Sequence, residues 1–361
     1  MNAPLRTAII GFGTNGTKMH GEPIRDLEGF QLVAVADPNP AQRALAEEAF
    51  GAQAFADHAS MLAVAHPELV VVVTRNDQHA DMAVDAFRAG AHVLVTKPWA
   101  LDASEASTMW EAAVASDRLL LPWLPMRFSP EALRIREIIR SGQLGEVFLV
   151  RRSVARFDVR HDWQMRREFG GGYLLNWGAH IVEPAYWILD AEVRSVSGFL
   201  RQTLGRGDCE DVFFAELALS NGARALVEHT ISPAPLPRWV VQGTRGALMV
   251  TDETIQIFEA ECAPEDLEVA ATQVARKLPF AMREEPCGGS VYGDTVEAYR
   301  QLERHVRGEP VEGYDSNSAM HLTHVLDAIR TSHTENRRAE ISQNRFLKRL
   351  TQLSEFVGGG L

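Results

Sequence analysis

Thr7-Ala8-Ile9-Ile10-Gly11-Phe12-Gly13-Thr14-Asn15-Gly16 runs from a mostly apolar, β-branched stretch straight into three glycines spaced GxGxxG. The spacing alone is a weak signal. Its context here is the one a dinucleotide site requires: a strand before it, a helical pattern to about Leu27 after it, and a second strand, Leu32–Ala36, ending at Asp37. The first glycine makes the tight turn, the second lets backbone approach a pyrophosphate, and the third lets the helix pack on the strand. The helix start then offers unpaired N–H groups and a positive dipole end to the phosphates. Gly11, Phe12, Gly13, Thr14, Asn15 and Gly16 are therefore the candidate phosphate loop. Asp37 lies roughly 20 residues further on, where a carboxylate accepts from ribose hydroxyls. That charge repels a 2′-phosphate, which favours NAD, while Arg43 on the next helix leaves NADP open.

Working outward, the same alternation continues. Leu69–Val73 is five consecutive apolar residues, four of them valine, the composition of a central parallel strand covered on both faces. A helix over 77–89 stops at Gly90. His92–Val95 follows as a strand, Asp102 with Glu105 opens another helix as a capping box, and Leu119–Leu121 closes the series. Residues 1–122 thus read as a doubly wound parallel sheet of the Rossmann type, an α/β domain. Residues 123–361 change rhythm and read as a second, α+β domain with a large, mostly antiparallel open sheet. Ser129-Pro130 starts a helix with serine as cap. Strand-like runs follow at Val147–Val154, Val193–Leu200, Asp211–Leu217, Ala223–His229, Trp239–Gln242, Ala247–Val250 and Ile255–Phe258, with Asn221-Gly222 marking a tight hairpin. Helical patterns fall at about 172–188, 293–306 and 317–331, and Arg345–Leu361 reads as a surface helix with a glycine-rich end.

The chain has 361 residues, 46% apolar and 23% charged, an ordinary globular composition of about two domains. Lysine and arginine total 36 against 48 aspartates and glutamates, a formal net charge of −12. Such a surface repels phosphate backbones and anionic lipid, so neither nucleic acid nor membrane is an expected partner. No apolar run reaches the 18 or more residues of a membrane span. The three cysteines, Cys209, Cys262 and Cys287, are sparse and odd in number. They fit a reducing, cytoplasmic setting better than a disulfide scaffold.

Two segments carry chemistry. Thr96-Lys97-Pro98 directly follows the His92–Val95 strand, and the carboxyl ends of parallel strands line the ligand crevice. A lysine there can face a substrate hydroxyl, stabilise a developing alkoxide, or relay a proton once its pKa falls; a solvated surface lysine is the competing reading. Gly170-Gly171-Gly172 leads into a helix on which Asn176, His180 and Glu183 share one face at i, i+4 and i+7. Polar groups on a mostly apolar helix need water, partners or a ligand. His180 is the group there whose ordinary pKa suits acid/base work; a core histidine bonded to a carbonyl is its plain alternative. Arg156, Asp158, Arg160, His161, Asp162 and Trp163 crowd the stretch after the first strand of the second domain. With Tyr173 and Trp177 they could grip a sugar, the indoles of Trp163 and Trp177 on its C–H face. His180 with Glu183 lacks a third ligand at any metal-binding spacing, so no metal is expected.

Together these elements resemble the Gfo/Idh/MocA family of oxidoreductases. Further support comes from Ala89-Gly90-Ala91-His92-Val93, Arg127-Phe128-Ser129-Pro130, Ser141-Gly142-Gln143-Leu144-Gly145-Glu146-Val147 and Gly243-Thr244-Arg245-Gly246. The resemblance implies a Rossmann domain, a second domain whose open sheet joins copies into a homodimer or homotetramer, and NAD(P)-dependent oxidation or reduction of sugars, sugar acids or cyclitols. It places Thr74, Asn76, His79 and Lys97 beside the cofactor. Lys97, Arg127, Arg156, Trp163, Tyr173, Asn176 and His180 fall beside the substrate. Lys97 matches the family's Glu-Lys-Pro lysine, whose bond to proline is often cis, and His180 matches its catalytic histidine. Thr96 stands where the family has glutamate, and Asn176 where it has aspartate. An amide takes up no proton at neutral pH but still bonds a hydroxyl. The expected roles are His180 as main proton carrier, Lys97 as electrostatic assistant and Asn176 as positioner. The amide also keeps two rivals in view: an NAD-retaining lyase or glycosidase using transient oxidation, and a non-catalytic cofactor-loaded regulator.

Overall fold

The run Leu69–Val72 forms the strand β4, and all four of its side chains are fully buried. In this computed structural model, which describes residues 3–204, 206–262, 277–288 and 292–341, β4 lies inside a six-stranded sheet. Its other members are β1 (Leu5–Ile10), β2 (Phe30–Ala36), β3 (Gln53–Phe55), β5 (His92–Val95) and β6 (Leu120–Pro122). The order is β3-β2-β1-β4-β5-β6 and every pairing is parallel. The order reverses between β1 and β4, and there the glycine loop sits at the carboxyl ends of the strands.

Local chemistry sets the boundaries. Asp102 caps the helix Ala103–Ala115 by accepting from the amides of Ser104 and Glu105. Glu105 reaches back to the amide of Leu101, one residue earlier than a capping box requires. Gly90 takes φ +86° at the stop after His79–Arg88. The helix after the glycine loop starts as a π-helix, Gly16–Gly21, before Glu22–Asp26 continues as α. Ser129 precedes the helix Pro130–Arg140, but its side chain makes no cap bond, so proline alone marks that start.

The second sheet has nine strands: β7 (Val147–Arg156), β8 (Val193–Arg201), β9 (Val212–Leu219), β10 (Arg224–Ile231), β11 (Trp239–Gly243), β12 (Gly246–Thr251), β13 (Thr254–Ala260), β14 (Phe280–Pro286) and β15 (Ala339–Glu340). Their order is β14-β13-β12-β11-β7-β10-β9-β8-β15. Only β7 and β10 pair in parallel; the other neighbours are antiparallel. Asn221-Gly222 makes the β9–β10 turn, with Gly222 at φ +88°. Periodicity did not predict β3, β14 and β15. The first and last are only three and two residues long, and β14 is exposed along most of its length.

Tyr173–Trp187, the site helix, packs on β7, β9 and β10. The helix Ser316–Glu335 covers β8 and is joined to the loop after β5 by a bond from the Trp99 indole to the Thr323 hydroxyl, 2.7 Å. Late chain also returns to the first sheet: Tyr299, from the helix Thr295–Val306, packs with Phe30 and Trp123 and bonds His20 at 2.8 Å. Among the described residues no helix is long and apolar enough to cross a membrane. The expected Arg345–Leu361 helix lies outside the described residues.

Candidate active site

The glycine loop has the shape its spacing predicts. Gly11 sits at φ +91°, and a Cβ there would stand 2.4 Å from the carbonyl oxygen of Val73; one on Gly16 would stand 2.1 Å from that of Gly11. Both positions therefore exclude a side chain. A Cβ on Gly13 would meet nothing within 4 Å, so this glycine leaves open space where a pyrophosphate would approach. The Asp37 carboxylate, at the end of β2, accepts from the amides of Phe12 (2.7 Å) and Asn39 (2.8 Å). It braces the loop from the end of β2. Arg43 is drawn to the carbonyls of Asp37 and Pro38. These residues fit a dinucleotide.

The next turn at the crevice is braced from behind. His79, fully buried, lies 2.8 Å from the carbonyl of Pro98 and 3.2 Å from that of Thr74, tying the loops after β4 and β5 together. Asn76 donates to the carbonyl of Gly170 at 2.8 Å, linking the first domain to the glycines ahead of the site helix. Asn76 and His79 thus shape the crevice with donor groups turned to protein carbonyls. The Lys97–Pro98 peptide is cis. Thr96 turns its hydroxyl to the carbonyl of Val72, 2.9 Å away.

Lys97 and Asn176, 79 positions apart in sequence, meet. The ammonium donates to the Asn176 side-chain Oδ1 at 2.7 Å and to its backbone carbonyl at 3.0 Å. Lys97 is only partly exposed, and loss of water around its ammonium, aided by the charge of Arg160, lowers its pKa from 10.5 to about 8. His180, one turn on from Asn176, is buried with its ring edge-on to Trp177 (5.6 Å between centroids) and Tyr292 (5.8 Å). Tyr173 and Trp177 line a cavity of about 260 Å³ with Arg156, Asp158, Val159, Arg160, His161 and Asp162. The charged residues there pair locally, Arg156 with Asp158 at 2.6 Å and Arg160 with Asp162 at 3.6 Å.

Other expected substrate residues fall elsewhere. Trp163 sits in the single turn Trp163–Met165, outside the lining of that cavity. The Arg127 guanidinium pairs with Glu183 at 2.8 Å, both deeply buried, and lines a different cavity of about 570 Å³ behind the site helix with Arg136, Tyr186 and His321. Glu183 is thus committed to an ion pair, and neither it nor Asn176 and His180 is among the residues that line these two cavities. No group of three or more His, Cys, Asp or Glu able to hold a metal occurs among the described residues. Sequence reasoning missed Glu210 and His229. Glu210 caps the site helix from another segment: its carbonyl accepts from the Tyr173 amide (3.0 Å) and its carboxylate from that of Leu174 (3.0 Å). A capping residue distant in the chain leaves no local signal.

A Rossmann crevice closed by a second-domain helix that presents a lysine-bonded amide and a histidine defines a class of nicotinamide-dependent oxidoreductase. Residues 5–122 match the oxidoreductase family with an NAD-binding Rossmann fold, Gfo/Idh/MocA, and residues 132–249 match that family's C-terminal domain. The chain belongs to this family. Among curated proteins it is 31% identical to D-glucoside 3-dehydrogenase of Escherichia coli over 56% of this chain and 60% of that protein. It is 22% identical to the NADP(+)-dependent scyllo-inositol 2-dehydrogenase IolW of Bacillus subtilis, over 92% of this chain and 95% of the relative. An NAD-binding protein from Listeria innocua shares the fold at TM-score 0.80 and 22% identity, over 93% of this chain and 96% of that one.

Proposed function

We propose that this protein is an NAD-dependent dehydrogenase that oxidises a secondary alcohol of a sugar, sugar acid or cyclitol. The observation that carries the reading is the Lys97–Asn176 contact, which brings the end of β5 and the site helix together beside a cavity with an aromatic wall. Gly11, Gly13, Gly16 and Asp37 hold the dinucleotide, and the Asp37 charge selects NAD over NADP. A nicotinamide held there would supply the acceptor for the hydride of the carbinol carbon. Lys97 and Asn176 hold the substrate hydroxyl from two sides, amine and amide. The hydroxyl proton must leave as the hydride does. An amine with a pKa of about 8 suits that transfer near neutral pH, which moves Lys97 from assistant to main proton acceptor, with His180, one turn along the helix from Asn176, as second carrier. Trp177 and Tyr173 receive the apolar face of the ring.

The relatives support this reading by their names, which include sugar and inositol dehydrogenases. The absorbance of NADH across a panel of hexoses, glucosides, uronic acids and inositols tests it. Net NADH from at least one member is expected, and His180→Ala should lower kcat by about 10²-fold or more while NAD binding holds. Product formed without net NADH would replace this reading with the NAD-retaining lyase or glycosidase. Binding of NAD with no product from any member would replace it with a regulator. Three unpaired cysteines suit a cytoplasmic site of action.

A further inference from the structure

The aromatic wall of the substrate cavity rests on a residue that does not line it. Tyr173 and Trp177, one turn apart on the site helix, both lie against the imidazole of His229 on β10, with centroids 4.5 Å and 5.3 Å away. Phe213 on β9 stacks on the same ring at 6.4 Å. His229 is fully buried. Its Nδ1 faces the backbone carbonyl of Asp211 at 3.2 Å, a group that only accepts, so Nδ1 carries the hydrogen. Burial lowers the pKa to about 4, leaving the ring neutral near neutral pH.

That single bond fixes the plane of the imidazole, because its anchor is itself immobilised. The Asp211 carboxylate accepts from the amides of Thr203 (2.7 Å) and Leu204 (2.9 Å), and its own amide donates to Arg201 at 3.1 Å. The preceding residue, Glu210, caps the site helix. One short loop thus holds the helix backbone through Glu210 and the orientation of its aromatic side chains through Asp211 and His229. Folding alone gives no reason for a histidine here. Among the described residues its Nε2 has no hydrogen-bond partner, and a buried, unpaired acceptor is a cost that a phenylalanine does not carry.

We propose that His229 is a positioning residue for substrate: it sets the tilt of Trp177 and Tyr173, and so the height and angle at which a sugar ring lies beside Asn176 and His180. This rests on the reading of the aromatic cavity as the substrate site. His229→Phe keeps an aromatic ring and removes the bond to Asp211; His229→Asn keeps a donor short enough to reach that carbonyl. Kinetics are measured with the sugar or cyclitol that proves active in the panel, and 5-fluorotryptophan NMR is recorded on the NADH-loaded protein, with Trp177→Phe assigning its resonance.

The phenylalanine variant should match or exceed the wild-type melting temperature and keep the KM for NAD. It should raise the KM for the sugar at least tenfold and shift or broaden the Trp177 resonance. The asparagine variant should recover part of the sugar KM. Wild-type sugar KM together with an unmoved Trp177 signal in His229→Phe overturns the proposal, as does an equal rise in both KM values. Should no sugar turn over, the NMR arm decides alone. A moved Trp177 signal would keep the positioning role while the dehydrogenase reading fell, and an unmoved one would sink the positioning role.

Discussion

At position 176 an amide stands against the Lys97 ammonium, and the consequence is electrostatic. A carboxylate within hydrogen-bond reach favours the ammonium and raises a lysine's pKa; an amide leaves desolvation to dominate and the pKa falls to about 8. The neutral amine is the form that accepts a proton, and its fraction grows as pH rises towards that value. Alcohol oxidation should therefore gain with pH, log kcat/KM climbing with unit slope and levelling near pH 8. In Asn176→Asp the added charge holds the proton on Lys97, so the same limb should move alkaline by about 1–3 pH units. A pH–rate profile of both proteins checks this. An unmoved limb would assign the titration to another group.

At the level of the element, the site helix begins without a local cap. Gly172 has no side chain to offer, sits at φ +112°, and a Cβ there would stand 2.4 Å from Glu210 Oε1. The glycine is thus required twice, for its backbone angle and for the approach of the Glu210 carboxylate to the Leu174 amide. Gly172→Ala should push that carboxylate away and fray the first turn, which carries Tyr173 and Asn176. Loss of a cap and a strained φ together cost about 2–5 kcal/mol. The expected result is a fall of several degrees in melting temperature with at least a tenfold loss of kcat/KM. Glu210→Ala should reproduce the loss of the cap without the strain. Undiminished activity in both variants would show that the helix start does not govern the site.

Across the whole molecule, the outer face of the second sheet exposes large apolar side chains. Phe199 and Phe214 are direct cross-strand partners on β8 and β9, 46% and 40% exposed, and Met282 on β14, 51% exposed, pairs with Phe258 on β13. Strand alternation turns these residues away from the site helix. A second copy of the chain is the expected cover. Light scattering on the eluting protein should give two or four times the 40.0 kDa of one chain, and Phe199→Glu with Phe214→Glu should return it towards one. A wild-type mass of a single chain would remove the oligomer from this reading.

The glycine loop, the buried valine strand and the Asp102 cap were legible in the sequence because each is decided within a few residues, by backbone sterics, by alternation and by an oxygen facing the next amides. Lys97 and His180 were legible as types of residue at the end of a strand and on a helix face. Their neighbourhood was not. The same face that carries Asn176 and His180 continues to Glu183, yet burial beside Arg127 took Glu183 into a separate ion pair, and Trp163 fell outside the cavity its neighbours line. Glu210 and His229 had no periodic or motif signal, since their partners lie at distant places in the chain. What the amino-acid order alone determined was the nucleotide-binding half and the kinds of groups available for proton transfer. Only the tertiary structure decided which of those groups meet and how far the lysine's pKa falls, because desolvation and hydrogen bonding depend on surroundings assembled from both sheets.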